Sequence, residues 1–131
     1  PYSRMTAIDL NTGEHVWMTP TGDGDRVRDH PHFRHLELPP VGGDAGRNGP
    51  VVTRTLVIYT LSAGGSDGGP RLVAYDKATG APVGSVDLPG GAIGTPMTYR
   101  LDGRQYVAVT VGGTTPALVA YALPDVAGGA N

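Results

Sequence analysis

The stretch LVAYDKATGAPVG, residues 72–84, is nearly repeated as MTAIDLNTGEHVW at residues 5–17, and this pair decides the fold. An offset of 67 residues lays Ala7 on Ala74, Asp9 on Asp76, Thr12 on Thr79, Gly13 on Gly80 and Val16 on Val83. A second offset, of 46 residues, lays Pro50 on Pro96 and Leu72-Val73-Ala74-Tyr75 on Leu118-Val119-Ala120-Tyr121. A period of about 40–50 residues is that of a four-stranded propeller blade; the longer first spacing is due to the segment 21–48. Within each copy the Asp side chain can accept bonds from backbone N–H groups two or three residues on, Thr can do likewise, and Gly supplies a positive φ. DLNTG and DKATG therefore read as hairpin turns.

Working outward, one whole unit places strands at 50–53, 55–61, 71–76 and 82–88. The last unit places them at 95–100, 105–111 and 117–123, and only 5–10 and 15–19 precede the whole unit. The expected class is all-β, a partial β-propeller of about two to three four-stranded antiparallel blades. Its division is 1–20 as the end of one blade, 21–48 as a long loop, 49–89 as a complete blade, 90–124 as a last blade without its outer strand, and 125–131 as a tail. Trp17 falls where a flat side chain packs between neighbouring blades.

Composition agrees with strands rather than disorder. Gly (21) and Pro (12) approach a low-complexity share of the 131 residues, but the apolar residues gather in β-branched clusters such as VVTRTLVIYTL and QYVAVTV. Ten basic and twelve acidic residues, net −2, are scattered, which disfavours nucleic acid as a partner. The absence of cysteine excludes disulfides, thiolate catalysis and Cys-based zinc sites. No apolar run approaches a membrane span, and the opening PYSRM has no charged or apolar leader, so a processed chain or a piece of a longer one is expected.

AIDLNTGEHVW and AYDKATGAPV resemble the A-x-D-x-x-T-G-x-x-x-W signature of the pyrroloquinoline-quinone (PQQ) quinoprotein dehydrogenases. LPGGAIGTPMTYRLDGRQYVAVTVGG followed by LVAYALPD resembles the C-terminal end of their membrane-type glucose dehydrogenase branch. The resemblance implies an eight-bladed propeller of which this chain is the C-terminal two to three blades, with the missing outer strand supplied by the N-terminal segment of the full protein. It also implies PQQ with Ca²⁺ or Mg²⁺, a sugar, polyol or alcohol substrate, a quinone or cytochrome electron acceptor, and a periplasmic location with any membrane attachment in other parts. The catalytic base is expected upstream, so the 131 residues alone are expected to be inactive.

Strand alternation puts the short turns on one face and the long connections 21–48, 62–70, 89–94 and 112–116 on the other, where function gathers. In this family that face carries the cofactor, metal and substrate mouth. The segment 22–49 holds three of the four histidines and four of the ten basic residues. A metal site from His30, His32 and His35 is disfavoured, because Pro31 stiffens the segment and no carboxylate is spaced to support it; no metal ligand is assigned. Arg28 and His30 are candidates for the cofactor's carboxylates or the substrate. The alternative is a long loop wrapped over the face and pinned by LELPP.

Asn48, in the glycine-flanked approach to a first strand, is a candidate amide donor to a quinone oxygen or the metal, against a plain turn. Asp67 is a candidate for the polar network beside the cofactor, against an exposed turn aspartate. Thr114, with Thr115 and Pro116, stands where the glucose-dehydrogenase branch commonly has His, which puts glucose specificity in question. A second function class remains open, a PQQ-like propeller without cofactor that serves as a binding or assembly scaffold. A stand-alone small β domain is disfavoured by the open sheet edges at both ends.

Overall fold

A computed structural model describes residues 2–43, 48–64 and 67–122. Nine strands and one short helix follow in order: β1 Arg4–Ile8, β2 His15–Pro20, α1 Asp25–Arg28, β3 Val51–Val52, β4 Leu56–Leu61, β5 Arg71–Asp76, β6 Pro82–Asp87, β7 Met97–Leu101, β8 Arg104–Val111 and β9 Ala117–Ala122. They form three antiparallel meanders, β1-β2, β3-β4-β5-β6 and β7-β8-β9. Among the described residues the fold is all-β but for that one turn of helix.

Strand limits depart from expectation where side chains intervene. β1 stops at Ile8 because the Asp9 carboxylate turns back to accept the Asn11 N–H at 2.8 Å. β3 is only Val51–Val52, since Thr53 Oγ1 accepts the Leu56 N–H at 3.0 Å and closes the turn early. β7 begins after Pro96, which has no N–H to give a ladder. The expected strand end at Leu123 and the tail 125–131 lie outside the described residues.

The two inner strands of the middle sheet, β4 and β5, are covered on both faces. Val57, Tyr59, Leu61, Val73 and Tyr75 pack toward the first sheet with Met5 and Trp17. Ile58 and Leu72 pack with Leu88, Val109 and Val111 toward the third. That double burial explains why LVIYTL and RLVAY are near-continuous apolar runs rather than alternating ones. The register pairs Tyr99 with Tyr106 and Met97 with Ala108, opposite in facing to Val107. Met97, Tyr99 and Leu101 therefore stand on the outer face of the last sheet and are exposed.

The turns are built as their residues dictate. Asp76 Oδ1 accepts the Ala78 and Thr79 N–H groups, each at 2.9 Å, and the Thr79 hydroxyl at 3.0 Å. The Thr79 hydroxyl bond is the leading cause that holds the Asp76 carboxyl below its ordinary value. Trp17 lays its indole over Gly80, whose Cβ position would be 2.5 Å from the ring, and donates its N–H to the Lys77 carbonyl at 2.9 Å. The same position in the second copy is Gly84, and no atom lies within 4 Å of its Cβ position. The aromatic clamp thus joins the first sheet to the second and is absent between the second and the third.

Between those last two sheets Tyr121 donates its hydroxyl to the Asp87 carbonyl at 2.9 Å. Burial first, and the Asp87 charge second, push the Tyr121 phenol above its ordinary value. A phenol raised in the folded state contributes stability that is full below its unfolded pKa, about 10, and is lost as pH rises through the folded one. Tyr121→Phe is expected to cost about 1 kcal/mol at neutral pH and to flatten this alkaline decline, as measured by urea unfolding from pH 7 upward.

Candidate functional site

The long connections gather at one end of the sheets. The 21–43 connection is closed at its neck, where the anchor is Ser3; within LELPP, Leu36 is 47% exposed, Leu38 is half-buried and Pro40 lines a crevice with Val73 and Tyr75. Ser3 Oγ donates to the Thr21 carbonyl at 3.1 Å and accepts from the Thr21 hydroxyl at 2.7 Å and the Gly43 N–H at 2.8 Å. The Thr21 N–H donates to the Ser3 carbonyl at 3.1 Å, and the Gly42 and Gly43 N–H groups reach the Gly22 and Thr21 carbonyls. Gly42, at φ 73°, lies so close to Ser3 that a Cβ there would be 2.8 Å from its backbone nitrogen. Between these ends α1 opens on Gly24 in the left-handed region, a turn of helix that no apolar periodicity announced.

This neck and the β4–β5 connection enclose a cavity of about 550 Å³, with Tyr2, Ser3, Asp23, Asp25, Arg26 and Ser62 in its wall. A smaller one, about 290 Å³, lies between the first and second sheets and shares Gly22, Asp23 and Leu61 with it.

Toward the first strands of the second and third sheets, glycine brings backbones together. Gly49 packs on the Thr95 hydroxyl, so the segments leading into β3 and β7 touch. The 90–93 segment runs beside the end of β8: Gly112 N–H donates to the Gly91 carbonyl at 2.8 Å, Ile93 N–H to the Thr110 carbonyl at 2.8 Å, and Ala92 bridges to Val111. Cβ positions on Gly91, Gly94 and Gly113 meet nothing within 4 Å, leaving their backbone open to a flat ligand.

The candidates from sequence fall around this end, and none of them lines either cavity. Asn48 is half-buried immediately before Gly49. Asp67 is exposed and accepts the Gly69 N–H at 2.8 Å. Arg28 ends α1, 3.6 Å from Asp25. His30 is exposed, stacks on His32 at 5.3 Å between centroids, leans on Phe33 at 5.7 Å, and accepts the His32 N–H on Nδ1 at 3.3 Å. Thr114 is exposed in the β8–β9 connection. Among the described residues no three His, Asp or Glu side chains form a metal-holding group. Sequence reasoning passed over Ser3 and Asp23. Alternating glycine in GDGD was a usable signal for Asp23; Ser3 carried none, since its importance comes from Thr21 and Gly43, far along the chain.

A family model described as "PQQ: Glucose/ethanol/alcohol dehydrogenase, beta-propeller domain" matches residues 1–107. The glycerol dehydrogenase large subunit of Gluconobacter oxydans (strain 621H) is 38% identical over 133 residues, covering 95% of this chain and 17% of that protein. The quinoprotein glucose dehydrogenase of Escherichia coli (strain K12) is 31% identical, covering 92% and 15%. The crystal structure of quinohemoprotein alcohol dehydrogenase from Comamonas testosteroni superposes with a TM-score of 0.54 at 28% identity, over 83% of this chain and 12% of that one. The chain thus spans about one-sixth of the length of the relatives it matches.

Proposed function

Because this chain belongs to the PQQ-dependent glucose/ethanol/alcohol dehydrogenase β-propeller family, we propose that the protein carrying it oxidises a sugar, polyol or alcohol. The observation that carries this reading is the match of nearly the whole chain to a dehydrogenase large subunit. A scaffold would need only the hairpin turns and the Trp17 clamp.

Bound PQQ would supply the acceptor for the two electrons removed from a substrate hydroxyl. The open backbone at Gly91, Gly94 and Gly113 fits the approach of such a planar group. In this reading Asn48 offers its amide to the group or its metal, Arg28 and His30 pair with carboxylates from the loop side, Asp67 orients the polar network, and Thr114 borders the substrate mouth. Ca²⁺ or Mg²⁺ would accompany the cofactor, and among the described residues no three His, Asp or Glu side chains form a group that would hold it alone. The residue that takes the substrate's proton is assigned outside this chain. We place the protein in the periplasm, passing electrons to a quinone or cytochrome. No helix among the described residues is long and apolar enough to cross a membrane.

The test is reconstitution of the full-length protein with PQQ and Ca²⁺ or Mg²⁺, followed by dye reduction across sugars, polyols and alcohols. Turnover of at least one class is expected. Absence of both turnover and PQQ binding would overturn the reading in favour of the scaffold.

A further inference from the structure

Asn48 and Gly49 lie in the approach to β3, a stretch without regular structure that ends where the ladder begins at Val51. Both are half-buried, so water reaches them. Among the described residues the Gly49 N–H donates to no acceptor, and the Asn48 carboxamide makes no hydrogen bond. The glycine is required by the fold, because a Cβ there would overlap the Thr95 hydroxyl. Asn11, the other asparagine of the described residues, is the opposite case. Its N–H and its Nδ2 both donate to Asp9 Oδ1, at 2.8 and 3.2 Å, and the β-branched Thr12 follows it.

Asparagine is a labile residue because the backbone nitrogen that follows it can attack its carboxamide. A side chain on the following residue hinders that attack, and so does any hydrogen bond that holds either group; a glycine offers no such hindrance. Asn48 meets neither obstacle, and Asn11 meets both. We propose that Asn48 is a site of spontaneous modification, at which its carboxamide is converted to a carboxylate through Gly49. The Gly49 nitrogen loses its proton and bonds to Asn48 Cγ, the Cγ–Nδ2 bond breaks, and ammonia leaves a closed succinimide ring. Water then opens the ring at either carbonyl, giving aspartate or isoaspartate, and no oxidant or reductant is needed. The product is charged and has lost both amide donors. The isoaspartate form also routes the main chain through the side chain, just where Gly49 packs on Thr95. The consequence rests on the role proposed above for Asn48 as an amide donor to the cofactor: protein left unloaded ages out of its cofactor-binding form.

The full-length protein, produced without PQQ, is held at mildly alkaline pH for several weeks and sampled by peptide mass mapping and by enzymatic methylation of isoaspartate. A gain of one mass unit is expected on the peptide containing Asn48, together with isoaspartate, and no comparable gain at Asn11. Asn48→Gln, whose longer side chain closes a six-membered ring far more slowly, should abolish both signals. Fresh protein should bind PQQ about tenfold more tightly than aged protein, whereas Asn48→Gln should keep its own affinity through the same incubation. Absence of the mass gain at Asn48, or an equal gain at Asn11, would overturn the modification. Aged, modified protein that binds PQQ as tightly as fresh protein would overturn its consequence. Fresh protein that binds no PQQ would count against the cofactor reading alone, because the mass gain is measured without PQQ and decides the modification by itself.

Discussion

Trp17→Ala is expected to destabilise the folded chain by about 3 kcal/mol, the lower end of the range for truncating a large aromatic in a packed interface. The indole does two things at once: it rests on Gly80 and packs beside the cluster of Val57, Tyr59, Leu61, Val73 and Tyr75, and it donates to the Lys77 carbonyl. Trp17→Phe separates the two, retaining most of the apolar contact while losing a hydrogen bond of about 1 kcal/mol. Urea unfolding of the three proteins should therefore rank wild type, Phe and Ala in that order. A loss under 1 kcal/mol in Trp17→Ala would show that the first sheet is held without its clamp.

Gly42→Ala is expected to have an effect of similar size, about 2–5 kcal/mol, from two additive sources. The left-handed φ of 73° costs a Cβ-bearing residue about 1–2 kcal/mol. The added carbon would also overlap the Ser3 backbone, and overpacking of this kind costs about 1–3 kcal/mol. The control is Gly13→Ala, with nearly the same φ of 76° but nothing within 4 Å, which should show only the first cost. The Gly42 variant should also speed hydrogen exchange at the Thr21 and Gly43 amides and expose the 24–40 loop to proteolysis, neither of which Gly13→Ala should do. Equal behaviour of the two variants would mean that the neck does not depend on close approach to Ser3.

How much of this was legible in the chain differs between turn, sheet and site. The D-x-x-T-G turns could be read from five residues each, because the donors that the Asp9 and Asp76 carboxylates accept lie two or three positions on. The β5 limits coincide with the reading from RLVAYD, since the run is apolar and bounded by proline and the turn aspartate. The site was less legible. Asp67 and His30 stand out by composition, yet the hydrogen bonds that their side chains accept come from residues two positions away. Ser3, ordinary in sequence, acquires its role from partners at Thr21 and Gly43.

By itself, then, the sequence determined the class of fold, the repeat and its turns, and the resemblance to quinoprotein dehydrogenases, because strand periodicity and turn chemistry are local properties. Only the tertiary structure decided which residues close the loop neck, and that Trp17 clamps one sheet contact while Gly84 leaves the next without a clamp. Those depend on backbones far apart in the chain meeting within a few ångströms, and packing between sheets leaves no periodic mark on the residues that it joins.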